Sequence, residues 1–221
     1  MLGAASPLVL YEMITLGLPY IFRTIISFIV IFVFVYILFI MHAFGGADAK
    51  VLMVISVIFP VFPNLSVNAL QLPLWGTPIL DLFAFSVFGN SVILTIIVPL
   101  GLVVYNLVTV PPKELIKKPL YAFIGYRQLV SNLQEGHFRL IEKYEQTPIG
   151  VVARFKRTGT SLDNNTILEL KELHKQGLIG EYVWVTPGLP FMIPITAGFL
   201  AAVVFGDLIF HISFNYLIPL V

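Results

Sequence analysis

The sequence predicts an all-α polytopic membrane protein of about four transmembrane helices. A fifth candidate segment lies at the N-terminus, and a small cytoplasmic α+β module is inserted before the last helix. Three observations predict this. Of 221 residues, 58% are hydrophobic and 11% charged, against roughly 45–50% and 25% in soluble domains. Apolar runs of about 20 residues, the length that crosses hydrocarbon, recur along the chain. Charge is segregated as well. Every Lys and Arg except Arg23 and Lys50 lies between residues 113 and 182, as does every Asp and Glu except Glu12, Asp48, Asp81 and Asp207. A net charge of +1 gives no field to steer a polyanion, so no nucleic-acid partner is expected. The absence of cysteine removes disulfides, thiolate metal sites and cysteine nucleophiles together.

Residues 1–22 are apolar but interrupted by Glu12 and Pro19. They lack the basic start and cleavage site of a signal peptide, and whether they cross the membrane stays open. Residues 24–44 form the first uncharged span, which breaks at Gly45-Gly46-Ala47-Asp48-Ala49-Lys50. A second run, 51–62, ends in Pro60 and Pro63 and is expected to be completed by a tilted or irregular continuation toward Leu74. The third, 79–108, spans with tilt, and the last lies within 189–218. The expected division is a membrane domain 1–110 carrying the Gly-Gly-Ala-Asp motif, a cytoplasmic soluble module 111–183, and a proline-rich entry with the last transmembrane helix, 184–221. The excess of Lys and Arg places the module in the cytoplasm. Counting spans back then puts the 45–50 break on the same side, with Lys50 an interfacial anchor. Lys113, Lys117 and Lys118 anchor the third span at the headgroups.

Within the module, Thr166-Ile167-Leu168-Glu169 reads as a capping box. Ile167, Leu170, Leu173 and His174 share a helix face that Gly177 ends. Residues 137–145 and 149–156 read as strands.

Several chemistries are excluded. The four histidines, His42, His137, His174 and His211, are scattered and make no His-Glu-x-x-His zinc site. A Gly-x-Ser-x-Gly elbow is absent, and so is a nucleotide-binding glycine loop. An acid kept in the apolar part is a functional candidate, and Asp48 stands out. Small residues before it allow another helix or an extended peptide to approach the backbone beside a carboxylate. From position alone, an interfacial turn with Asp capping a helix is the plainer reading.

Phe44-Gly45-Gly46-Ala47-Asp48-Ala49-Lys50, opening a new span after a long apolar helix, resembles the signature of the Gly-x-Gly-Asp membrane aspartyl peptidases (peptidase A24). More narrowly, it resembles the archaeal preflagellin and type IV prepilin peptidases. The stretch from Glu181 to Thr196, with Pro187, Pro190 and Pro194, resembles that family's entry into its last span. Asn90-Ser91 and Gly206-Asp207 also fit, and the likeness covers residues 24–221. Ala47 stands where the family has its second glycine, a small-for-small exchange. The resemblance implies an aspartic-type endopeptidase that removes the short basic leader of preflagellins or prepilins at the cytoplasmic membrane face, with those proteins and the lipid bilayer as partners and with no metal or cofactor. Two aspartates would hold a water between them, one as general base and one, protonated, donating to the scissile carbonyl. Asp48 is the catalytic residue so implied. Gly45, Gly46, Ala47, Lys50, Pro187, Pro190 and Pro194 are expected to bind substrate or shape the cleft. The prolines either delay the last helix or leave extended backbone to pair with a substrate strand.

The chain departs from the family at its start. Residues 1–22 contain no Asp, where the family carries its first catalytic aspartate. The expectation is a chain lacking the N-terminal helix with that residue. An inactive homologue that binds leaders or serves as a structural membrane subunit, and a partner carboxylate from a second subunit, are the alternatives. Asp81, Asp207 and Glu12 are poor substitutes, the first two placed near the outer face. A transporter using Asp48 is a more distant rival.

Overall fold

Long runs of Leu, Ile, Val and Phe form helices in hydrocarbon because a helix pairs its backbone groups within its own segment. The computed structural model describes residues 2–41, 43–67, 70–136, 138–147, 150–188 and 191–217. In chain order the elements are α1 (Leu2–Ile40), α2 (Gly46–Ile58), β1 (Leu65–Val67), β2 (Leu70–Leu72), α3 (Phe83–Thr95), α4 (Ile97–Thr109), α5 (Pro112–Lys117), α6 (Pro119–Ile124), β3 (Tyr126–Leu129), β4 (Phe138–Thr147), β5 (Gly150–Ser161), α7 (Asn164–Lys175), β6 (Tyr182–Pro187), α8 (Met192–Val204) and α9 (Leu208–Ile212). They fall into two compact units, Met1–Thr95 with Phe191–Val221, and Ile96–Pro190.

Among the described residues two helices are long and apolar enough to cross a membrane, Ala5–Ile40 and Phe83–Thr109. A third span is reached if Met192–Val204 and Leu208–Asn215, bent by 62°, count as one. The expected four spans are therefore not formed as regular helices among the described residues. The shortfall is at α2, whose 13 residues rise about 20 Å, less than a hydrocarbon core of about 30 Å. Beyond it the chain turns into the antiparallel β1–β2 hairpin. The N-terminal segment that the sequence left open is helical and runs on into the 24–44 span, with a kink where Gly17 takes φ 71°.

The core of the first unit joins Ile31 and Val35 of α1, Leu52 of α2, Phe83 and Val87 of α3 and Ile195 of α8. Phe83 is fully buried and meets Phe62 and Phe199 edge-on, with ring centroids 5.3 and 5.4 Å away. α3 and α8 approach closely because Gly198 faces Ser91 and the Val87 carbonyl. A Cβ on Gly198 would lie 2.2 Å from Ser91 Oγ and 2.5 Å from that carbonyl oxygen, the small-residue contact typical of membrane helices.

The bend between α8 and α9 leaves backbone groups that need partners. Asn90, fully buried on α3, serves both sides of it: Nδ2 donates to the Gly206 carbonyl at 2.8 Å, and Oδ1 accepts from the Leu208 amide at 2.9 Å. Leu74 and Trp75 donate to the Val204 and Phe205 carbonyls. Gly206 takes φ +97°, and a Cβ there would lie 2.4 Å from the Gly76 carbonyl oxygen.

The second unit is built on an antiparallel sheet of order β3-β6-β4-β5. Alternation along β6 sends Val183 and Val185 into one core with Leu140, Ile167 and Leu170, and Trp184 into another with Ile141 and Val110. β4 and β5 match the two expected strands, with β5 running on to Ser161, although His137 and Ile149 lie outside the described residues; the two pair antiparallel. The expected capping box is corrected. α7 is capped three residues earlier by Asp163, whose carboxylate accepts from the Thr166 amide at 2.9 Å, so Thr166 sits inside the first turn. Ile167, Leu170 and Leu173 are buried as expected, and Gly177 follows the helix at φ +70°.

Glu142 is a buried carboxylate in this unit, 2% exposed. It accepts from the Lys118 ammonium and, at 2.9 Å, from the Tyr144 hydroxyl. Burial first, and then the Glu142 charge and hydrogen bond, push the Tyr144 hydroxyl above the ordinary tyrosine range.

Two outcomes follow from this packing. Asn90→Ala strands the Gly206 carbonyl and the Leu208 amide at a cost of about 1–3 kcal/mol per group, read as a lower thermal midpoint of the solubilised protein; an unchanged midpoint would refute the bridge. Tyr144 keeps its proton in the folded state at a pH where the unfolded chain, with an ordinary tyrosine pKa of about 10, loses it. Stability from this group is therefore complete below about pH 10 and declines above it. Tyr144→Phe is expected to flatten that alkaline decline in a series of melts against pH.

Candidate active site

α2 starts where the apolar chain meets Gly45 in an extended conformation, φ −77°, ψ 151°. Ala49, Leu52, Ile55 and Ser56 form its buried stripe, a 3.6-residue periodicity. Asp48 borders this stripe in the first turn and is half-buried, while Gly45, Gly46, Ala47 and Lys50 are exposed. The carboxylate folds back over Gly45, where an added Cβ would lie 3.0 Å from Asp48 Oδ2. At Gly46 an added Cβ would meet only a Phe39 ring carbon, at 3.9 Å. The two glycines thus differ: the first leaves room for the carboxylate, and the second tolerates a methyl group.

Phe44, immediately before this turn, is wedged between Phe88 of α3 and Phe191 at the start of the last helix, with centroids 5.6 and 5.0 Å away. Phe88 also packs on Phe34 of α1 at 4.9 Å. These rings set the Asp48 turn against three helices. Sequence reasoning quoted Phe44 and Phe191 within its two motif segments and gave neither a role. Phe44 opens the first segment and Phe191 lies inside the second, between Pro190 and Pro194, and that placement was the available signal.

The expected cleft residues are divided between the two units. Pro194 lies in the first turn of α8, where a proline costs no intrahelical hydrogen bond. Pro187 is the last residue of β6, paired with Phe138, in the second unit. Pro190 lies outside the described residues. Asn90 and Asp207, quoted from the family pattern, hold the α8–α9 bend together: Asp207 caps α9 through the Phe210 amide at 2.8 Å and accepts from the Ser86 hydroxyl.

The other acids of the apolar part are committed elsewhere. Asp81 accepts from the Phe62 amide at 3.0 Å and pairs with Arg23 at 3.6 Å. Phe62 follows the C-terminal end of α2, so Asp81 is separated from Asp48 by about 15 Å of helix. Glu12 accepts from the Tyr20 hydroxyl, whereas the α1 residue beside Gly46 is Phe39, about 28 Å further along that helix. A cavity of about 460 Å³ is lined by Ser86, Asp207, Phe85, Phe210 and Phe214 but not by Asp48. Among the described residues no cluster of His, Asp and Glu could hold a metal ion. His42 and His137 lie outside those residues, and His211 stacks on Trp75 at 4.2 Å.

Residues 117–208 match the family model described as Archaeal Peptidase A24 C-terminus Type II. The chain is 28% identical over 193 residues to a preflagellin peptidase of Methanococcus voltae, covering 87% of this chain and 76% of that protein. It is 26% identical over 220 residues to a preflagellin peptidase of Methanococcus maripaludis, covering 95% and 82%. To one of Methanocaldococcus jannaschii it is 23% identical over 193 residues, covering 87% and 75%. Matches of this length extend across both the Asp48 turn and the sheet unit.

Proposed function

We propose that this chain, a homologue of the archaeal preflagellin peptidases, is a membrane aspartyl endopeptidase that cleaves the short basic leader of preflagellins and related type IV prepilins. The observation that carries the reading is the Asp48 turn. There a half-buried carboxylate lies over a glycine, and the exposed small residues beside it leave its flank open to an extended backbone. The segregation of Lys and Arg into residues 113–182 supports a cytoplasmic sheet unit in a multi-pass membrane protein.

The chemistry follows from two carboxyl groups around one water. The ionised group takes a proton as the water oxygen adds to the scissile carbonyl carbon, and the protonated group donates to the carbonyl oxygen. As the tetrahedral species collapses, the carbonyl oxygen returns its proton to the second carboxyl, and the first carboxyl passes the proton it took from water to the leaving amine nitrogen. Asp48 supplies one carboxyl. Asp81, Asp207 and Glu12 do not supply the other, since each is committed to partners of its own.

The test is cleavage of a leader-bearing preflagellin in membranes. Asp48→Asn is expected to lower the rate by about 10²–10⁴-fold, the usual worth of a general acid or base. Asp81→Asn and Asp207→Asn should retain cleavage per folded molecule. Undiminished activity of Asp48→Asn would remove it from the mechanism, and binding of leader without cleavage by the unaltered chain would favour a non-catalytic homologue. Gly45→Ala, which crowds the carboxylate, is expected to reduce kcat more than Gly46→Ala. Equal effects would mean that the 3.0 Å approach has no catalytic consequence.

A further inference from the structure

The helix Phe83–Thr109 is followed at once by α5 and α6. Their inward positions are already used: Leu115 and Tyr121 pack on Ile141 and Trp184, Ala122 is buried, and Lys118 turns in to Glu142. The sequence expectation that Lys118 serves a headgroup is thereby corrected. The outward positions are the unusual ones. Ile116 is 79% exposed, Leu120 69% and Phe123 50%, on two short helices whose other side needs no further cover. Lys113 and Lys117 are exposed beside them, and the intervening Glu114 is drawn to Arg127 at 2.8 Å. The outward surface is therefore apolar with a positive edge.

The depth of this surface is fixed by Asn106. Fully buried on α4, its Nδ2 donates to the Ala122 carbonyl at 3.0 Å and the Gly125 carbonyl at 2.7 Å. Those carbonyls belong to the end of α6, and Asn106 lies in the last turn of the apolar helix. α6 is thus clamped beside the point where that helix leaves the hydrocarbon. α5 starts three residues beyond Thr109, within about 10 Å of chain.

We propose that α5 and α6 form an interfacial foot lying in the surface of the bilayer that Phe83–Thr109 crosses. Ile116, Leu120 and Phe123 enter the acyl boundary, and Lys113 and Lys117 meet anionic lipid phosphates. The partner is the lipid surface because apolar exposure, flanking positive charge and clamped depth coincide, the combination that holds an amphipathic segment at an interface.

The natural absence of cysteine makes the experiment direct. Single variants Ile116→Cys, Leu120→Cys and Phe123→Cys are labelled with a polarity-sensitive fluorophore. Leu168→Cys, an exposed position on α7, serves as control. The full chain is reconstituted in phosphatidylcholine–phosphatidylglycerol vesicles. The foot labels should be quenched severalfold more by a lipid nitroxide placed near the headgroup than the control label, and severalfold less by aqueous iodide. Lys113→Glu with Lys117→Glu leaves the apolar residues in place and should weaken the lipid quenching. Iodide quenching equal to the control overturns the proposal. So does protection from both quenchers, which would mean that a protein surface covers the foot.

Discussion

Every interruption of a helix at membrane depth exposes backbone groups that hydrocarbon cannot satisfy, and the first unit is arranged around meeting that demand. The last helix breaks at Gly206, and three devices close the break: the Asn90 amide spans it, Asp207 caps the new start, and the chain after the β1–β2 hairpin donates to the final carbonyls of α8. The devices depend on one another. Asn90 reaches both sides only because Gly198 lets α3 and α8 approach closely, and the Gly76 carbonyl can lie against residue 206 only because a glycine stands there. Polar residues that look functional in an apolar sequence are here largely consumed by architecture.

That consumption sharpens the status of Asp48. Asp81, Asp207 and Glu12 each have a partner that accounts for their survival among apolar residues: a backbone amide with Arg23, a helix start with Ser86, and the Tyr20 hydroxyl. Asp48 borders a buried stripe, lies over a glycine and opens onto exposed small residues. The aromatic wedge of Phe44, Phe88 and Phe191 then connects the Asp48 turn to the start of the last helix, bringing together segments far apart in sequence.

Much of this was legible in the sequence where a periodicity or a composition sufficed. The uncharged 24–44 run, the long third helix, the β4–β5 pair and the buried face of α7 each carry a local signal. The remainder lacked one. β3 has four residues, too few to show alternation, and β6 is buried on both sides, so its hydrophobic run ran into the proline segment unrecognised. At α7, Asp163 and Thr166 both had the chemistry of a cap, and only the backbone path decided for Asp163. For the second span the prolines showed where the helix ends, at Ile58 before Pro60, but the path of the irregular continuation, a β hairpin, had no local signal. Asn90 looked like part of a family pattern, but its role depends on a bend 116 residues away.

The spacing of the acids also constrains any mechanism built on Asp48. Two carboxyl groups that share a water must both come within hydrogen-bond reach of it, about 3 Å. Asp81 is anchored through Phe62 beyond the far end of α2, so bringing it to Asp48 would require unwinding the helix that positions Asp48 itself. Glu12 is anchored at Tyr20, more than five turns of α1 from the residue beside Gly46. Asp207 could leave only by releasing the start of α9. Each such pairing breaks a contact that the fold shows, so in the proposed aspartyl mechanism the second carboxyl would approach from the exposed flank of Gly45 and Gly46.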